Sequence, residues 1–180
     1  MVSVYLPITP KKSLKLFAIS AYKDPLRTLI LKKSYSDLLA SKQLAQLIFD
    51  MTPIEKFNFD YIVHIPLHWT RYAKRGYNQA AVMAKVLGKK LEIPHLNVLK
   101  RKKRTIFQSK LSSAKRQLNL KDAFDVRFRY RQEGGKFLKD KKILLVDDLC
   151  TTGATLRTAA RILLKFNPQS ISAVVACRVV

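Results

Sequence analysis

The sequence predicts an α/β domain built on a mostly parallel sheet with flanking helices. Three observations carry this: two successive strand, loop and helix units, strands that are apolar without alternation, and a pair of adjacent acids running into a Thr/Gly-rich turn. A continuously apolar short strand is buried on both faces, as in a parallel sheet covered by helices. In such sheets ligands bind beyond the carboxyl ends of the strands, which makes the acid pair and its turn the place to look for function. A chain of 180 residues with 48% hydrophobic content can bury one good core and is too short for two full catalytic domains, so residues 1–180 are expected to form a single domain.

Each element follows from local pattern. Leu14 to Tyr22 is dense enough in apolar residues for a strand, and Pro25 suits the first turn of a short helix reaching Lys33. Ser36 or Asp37 can cap a second helix, whose Ala40, Leu44, Leu47 and Ile48 form one apolar stripe and which should end near Met51, before Pro53. Asp60 to Ile65 reads as a buried parallel strand with His64 packed inside it, ended by Pro66. The stretch Leu67 to Gly76 reads as a basic loop entering a helix from about Tyr77 to Leu87.

Residues 95 to 132 break the alternation and look like a small inserted hood. They carry 12 Lys/Arg against Asp122 and Asp125, including the unbroken run Lys100-Arg101-Lys102-Lys103-Arg104. A short helix is expected around Ser112 to Leu118, and the alternation of Phe124, Val126 and Phe128 suits a strand. Gly134-Gly135 marks the return to the main sheet. Lys142 to Val146 then reads as a strand, Thr155 to Phe166 as a helix and Ile171 to Val179 as a last strand. In that helix Leu156, Ala159, Ala160, Leu163 and Leu164 form the core stripe, and Arg157, Arg161 and Lys165 a solvated basic ridge.

Charge narrows the function. There are 35 Lys+Arg against 12 Asp+Glu, a formal net charge of +23, which points to a polyanionic partner. No apolar run approaches the roughly 20 residues of a membrane span, and no secretory signal opens the chain, so a cytoplasmic location is expected. A peripheral association with an anionic membrane face stays open to so basic a chain. Cys150 and Cys177 are the only cysteines, which excludes a disulfide framework and a four-cysteine metal site within this chain.

Asp147 and Asp148 are the only adjacent carboxylates, placed where an apolar strand leaves the sheet. Thr151-Thr152-Gly153-Ala154-Thr155 follows, putting hydroxyls and a glycine at a helix start, whose unpaired amides and dipole favour a phosphate. Ordinary capping by Thr would explain the second half alone, and solvated strand-end acids the first; their combination is much rarer.

The run Ile143 to Thr155 resembles the 5-phosphoribosyl-1-pyrophosphate (PRPP) motif of type I phosphoribosyltransferases. Pro66-Leu67-His68-Trp69, Arg71 and Arg75-Gly76-Tyr77-Asn78-Gln79-Ala80 resemble the pyrophosphate-loop region of the ComF family, the competence-linked homologues. Thr105, Gln108, Leu111, Arg116, Asn119 and Ala123-Phe124 are similar to that family in the hood, and Tyr22-Lys23-Asp24-Pro25-Leu26-Arg27 to its early Tyr-Lys element.

The resemblance implies the type I phosphoribosyltransferase fold and a set of roles. Asp147 and Asp148 would hold the ribose hydroxyls and lie in the outer sphere of a magnesium ion carried by PRPP; Thr151, Thr152, Gly153, Ala154 and Thr155 would bind the 5-phosphate. Leu67, His68, Arg71 and Arg75 are the candidates for the pyrophosphate. It also implies natural transformation as the process, with single-stranded DNA and competence proteins as partners. Lys100 to Arg104 could track a DNA backbone, Phe107, Phe124, Phe128 or Tyr130 could stack bases, and Trp69 could stack or pack over its loop.

Family members commonly begin with a four-cysteine zinc module. No cysteine precedes Cys150, so zinc is not carried over; either the lineage lacks the module or this chain begins after it. No base-selective group is identifiable in residues 95 to 132. A salvage or biosynthetic phosphoribosyltransferase, and a PRPP-sensing regulator without catalysis, are the competing readings.

Overall fold

The computed structural model describes residues 2–21, 38–67, 69–102, 123–132 and 136–179. The chain opens on a hairpin of β1 (Val2–Thr9) and β2 (Lys12–Ala21), antiparallel with Leu6 opposite Leu14. Next come α1 (Leu38–Met51), a 3-10 turn at Pro53–Lys56, β3 (Tyr61–His64), α2 (Trp69–Arg75), α3 (Gln79–Lys90) and β4 (His95–Leu96). β5 (Leu99–Arg101), β6 (Phe124–Val126) and α4 (Phe128–Gln132) precede a 3-10 turn at Lys136–Leu138, then β7 (Lys142–Cys150), α5 (Ala154–Leu164) and β8 (Ser170–Arg178).

The main sheet runs β1-β2-β8-β7-β3-β4, parallel throughout except for the β1–β2 pair. Its two faces bury separate halves of the core, because alternate residues of each strand point to opposite sides. Ile143 and Leu145 of β7 pack with α5 residues Leu156, Ala159 and Leu163; Leu144 and Val146 pack with Leu44 and Ile48 of α1 and Met83 and Leu87 of α3. The smaller sheet pairs β5 with β6 antiparallel, and its Leu99, Phe124 and Val126 join the α5-side core. It starts beyond residue 95, since His95–Leu96 pair with Ile62–Val63 in the main sheet.

Four expectations need correction. The stretch 67–76 is not an open loop: α2 occupies most of it and ends where Gly76, at φ 75°, donates its N–H to the Tyr72 carbonyl at 2.7 Å. α3 therefore begins at Gln79, after the Asn78 cap, and not at Tyr77. β7 does not stop at Val146 but continues through both acids to Cys150, because β8 stays paired with it as far as Arg178. Phe128 is not part of a strand; β6 ends at Val126 and Phe128 opens α4.

The hairpin strand β1 adds an element that the sequence reading did not contain. The strand over Leu14 to Tyr22 is β2, starting at Lys12; Tyr22, the element at 22–27, the helix to Lys33 and the caps Ser36 and Asp37 lie outside the described residues, as do the helix at Ser112–Leu118 and Gly134-Gly135. No helix among the described residues is long and apolar enough to cross a membrane.

Candidate functional site

The parallel pairing of β3 with β7 builds the site. Val63 stands opposite Leu145 and His64 opposite Val146, and the Ile65 N–H donates to the Val146 carbonyl at 2.9 Å. Beyond this pairing Pro66-Leu67 lead away from β3 while β7 runs on through Asp147-Asp148 beside β8, so the acids lie at the carboxyl end of the β3–β7 pair. This is the crevice position expected of a ligand site in a parallel sheet.

Asp147 and Asp148 are half-buried, and Asp147 Oδ1 accepts the Asp148 N–H at 2.9 Å. That contact orients one carboxylate against the backbone. The strand then ends at Cys150, whose carbonyl accepts the Val179 N–H at 2.8 Å. Burial chiefly raises the Cys150 thiol above its ordinary pKa, with Asp147 adding to the rise and the Arg178 and Arg157 cations opposing it. Cys150 and Cys177 are both buried core thiols.

The turn 151–153 depends on its glycine. Gly153 is the N-cap of α5 at φ 73°, a left-handed conformation, and a Cβ there would lie 2.7 Å from Leu6 Cδ1. With no side chain at the cap, the first-turn amides of α5 can serve an anion; only a long 3.4 Å contact links the Ala154 N–H to Thr152 Oγ1. Thr151 and Thr152 are exposed and Thr155 half-buried, so hydroxyls stand at the open side of the turn. Arg157 Nη1 lies 3.5 Å from the position a Gly153 Cβ would take. The basic ridge of α5 is thus not uniformly solvated: Arg157 adds a cation beside the turn, and Arg161 Nε donates to the Ile8 carbonyl at 2.9 Å.

Across the crevice, the segment from Pro66 to Tyr77 is clamped by Asn78. Its Nδ2 donates to the Ile65 carbonyl at 3.0 Å, while its Oδ1 accepts the Ala80 N–H at 3.0 Å and caps α3. Leu67 is half-buried beside the edge, Arg71 and Arg75 are residues of α2, and His68 lies outside the described residues. The sequence places Asn78 in the run that resembles the pyrophosphate-loop region but does not show its clamp, and it places Arg157 only on a solvated ridge. An Asn immediately before a helix start and an Arg four residues after the glycine were the available signals.

The hood presents its basic run differently from an open ridge. Lys102 Nζ lies 2.9 Å and Lys100 Nζ 3.7 Å from Asp125 Oδ2, and the Arg101 guanidinium sits 5.3 Å over the Phe124 ring. Lys103 and Arg104 lie outside the described residues, as does Phe107. Phe124 and Tyr130 are buried and unable to stack a base, whereas Phe128 is exposed between Arg127 and Arg129. No cluster of three or more His, Cys, Asp or Glu side chains that could hold a metal occurs among the described residues.

Residues 73–179 match the phosphoribosyl transferase domain family. The chain is similar to competence protein F of Haemophilus influenzae, with 33% identity over 169 residues, 87% of this chain and 69% of that protein. It is 28% identical over 171 residues to the DNA utilization protein YhgH of Escherichia coli, covering 91% of this chain and 72% of the relative. To competence protein ComFC of Bacillus subtilis it is 36% identical over 104 residues, 58% of this chain and 38% of that protein.

Proposed function

Since the chain belongs to the ComF/ComFC family and carries a phosphoribosyl transferase domain, we propose that it binds Mg²⁺-PRPP at the Asp147–Thr155 edge and handles single-stranded DNA during natural transformation. Its type I phosphoribosyltransferase fold and its relation to competence and DNA-utilization proteins are the firm frame for this reading. The observation that carries the ligand is the continuity of one strand and one turn: two carboxylates on β7 lead directly into a glycine-capped helix start with exposed threonines.

Chemically, the parts divide the ligand. Asp147 and Asp148 supply acceptors for vicinal ribose hydroxyls, and the amides and hydroxyls of Thr151 to Thr155 supply donors for a 5-phosphate. Arg71 and Arg75 of α2, with Leu67 and His68, stand for the pyrophosphate. Among the described residues no third His, Cys, Asp or Glu joins the two carboxylates to make a metal cluster, and the pair fits a metal carried in by the ligand's own oxygens and held in the outer sphere. The ion would neutralise pyrophosphate charge there.

DNA is assigned to the hood. Lys100 to Arg104 retain net positive charge after Asp125 is counted, and exposed Phe128 offers a stacking face beside Arg127 and Arg129. A peripheral contact with an anionic membrane face is compatible with the same charge.

Calorimetric titration with Mg²⁺-PRPP tests the ligand. Asp147→Ala with Asp148→Ala should abolish the binding heat while circular dichroism stays that of the folded protein; undiminished binding refutes the assignment. Affinity for an oligo-dT strand should fall steeply with added salt, and affinity that stays flat removes the DNA reading.

A further inference from the structure

The helix α2 carries an aromatic pair that neither the PRPP site nor the hood uses. Trp69 and Tyr72 are 70% and 53% exposed, while Phe17, Phe59, Phe124 and Tyr130 are buried. Positions three apart share one face of a helix, so Trp69 and Tyr72 lie on the same face of α2. The other residues of that helix include Arg71, Lys74 and Arg75 and no acid.

A single exposed aromatic is unremarkable; two on one face of a basic helix are a surface with a chemistry. The helix is also held in place. Gly76 closes its last turn onto the Tyr72 carbonyl, and Asn78 ties the segment back to Ile65 at the end of β3. Both side chains are thus carried by a helix closed at its carboxyl end, beside the carboxyl edge of the sheet, so that part of the backbone ordering they need is already in place.

We infer that Trp69 and Tyr72 form a base-stacking platform on α2 for single-stranded DNA, separate from the basic run of the hood. This inference rests on the DNA-handling reading above. Flat aromatic faces stack bases without sequence preference, and cations elsewhere on so basic a chain can follow the backbone while Arg71 and Arg75 stay with the pyrophosphate. The whole-chain charge of +23 supplies the complementarity. An anionic membrane would also attract α2, but seven residues with two large side chains offer too little apolar area for stable interfacial burial.

Trp69 is the only tryptophan in the chain, so its fluorescence reports this site alone. Oligo-dT should quench Trp69 emission, and an abasic strand of equal length and charge should not. Trp69→Ala and Tyr72→Ala, checked for folding by circular dichroism, should each raise the dissociation constant for labelled oligo-dT about 5- to 150-fold, and Trp69→Phe should recover most of the loss.

Equal quenching by the abasic strand would make the contact electrostatic and overturn the platform. Oligo-dT binding by anisotropy without quenching, and unweakened in Trp69→Ala, would overturn the platform while leaving the DNA reading standing. No oligo-dT binding at any salt would remove the DNA reading and the platform with it. A blue shift of Trp69 with phosphatidylglycerol vesicles but no response to oligo-dT would reassign α2 to a membrane surface.

Discussion

Nδ1 of His64 lies 2.8 Å from Nε2 of His95, joining β3 to the edge strand β4 by a side-chain hydrogen bond with the ring planes tilted by 53°. One ring must donate and the other accept, so the contact fails when both are fully protonated. Burial is the main cause that lowers the His64 pKa to about 3, with His95, Arg127 and Lys85 adding positive charge against protonation. His95 is lowered too, by burial and then Lys85.

These shifts give stability a pH dependence with a definite sign. Below the ordinary histidine value of about 6.5 the unfolded chain takes up protons that the folded chain refuses. The contribution is therefore complete above that pH and is lost as pH falls from there toward the folded value of about 3. Unfolding free energy from urea titrations should drop by up to about 1.4 kcal/mol per pH unit for His64 between pH 6 and 4. The His64→Gln/His95→Gln double variant should show a flatter profile, and parallel profiles would contradict the assignment.

Gly153 ties the candidate phosphate turn to the hairpin strand β1. Gly153→Ala would meet both a left-handed backbone and Leu6 Cδ1 at 2.7 Å, a cost of about 1–3 kcal/mol in unfolding free energy. Leu6 can yield because the clash is with the end of its side chain. Adding Leu6→Val should therefore recover part of the loss that is steric and none that is backbone strain. A Gly153→Ala protein with unchanged urea midpoint would refute this account.

Much of this architecture was legible because its signals were local. The stripe Ala40, Leu44, Ile48 gave α1, the apolar runs gave β3 and β7, and the Thr/Gly turn gave the start of α5 to within a residue. β1 was hidden by Pro7, which argues against a central strand but is tolerated on the edge that β1 occupies. α2 was obscured by its charge and by Gly76, which reads as loop punctuation although it caps the helix. The extension of β7 past two acids, and the meeting of His64 with His95 across 31 residues, depend on which strands pair. Strand pairing is set by tertiary packing and leaves no short-range trace.

Asn78 makes two bonds that can be separated experimentally. Asn78→Ala removes both the α3 cap and the tie to the Ile65 carbonyl, with an expected loss of about 1–2 kcal/mol. Asn78→Asp keeps the cap acceptor but cannot donate to Ile65, so it should retain more stability. Both variants should be cut faster by trypsin at Arg71, Lys74 or Arg75, because the tie that holds the segment is gone in each. Cleavage at the parental rate in Asn78→Asp would mean that the Ile65 bond does not hold α2.

Asp125 is the acid that restrains the described part of the hood's basic run. Its contacts join lysines that are 44% and 53% exposed to a carboxylate that is 13% exposed, and pairs whose cation stays in solvent add only about 0–1 kcal/mol each to stability. Asp125→Asn should therefore cost little in a thermal melt while releasing two lysines and removing one negative charge. If the run follows a DNA backbone, oligo-dT affinity should rise several-fold at low salt, and the salt dependence should steepen by about one released counterion. Unchanged affinity and slope would place the DNA contacts away from β5, because a backbone track along Lys100 and Lys102 cannot ignore the loss of the charge that now holds them.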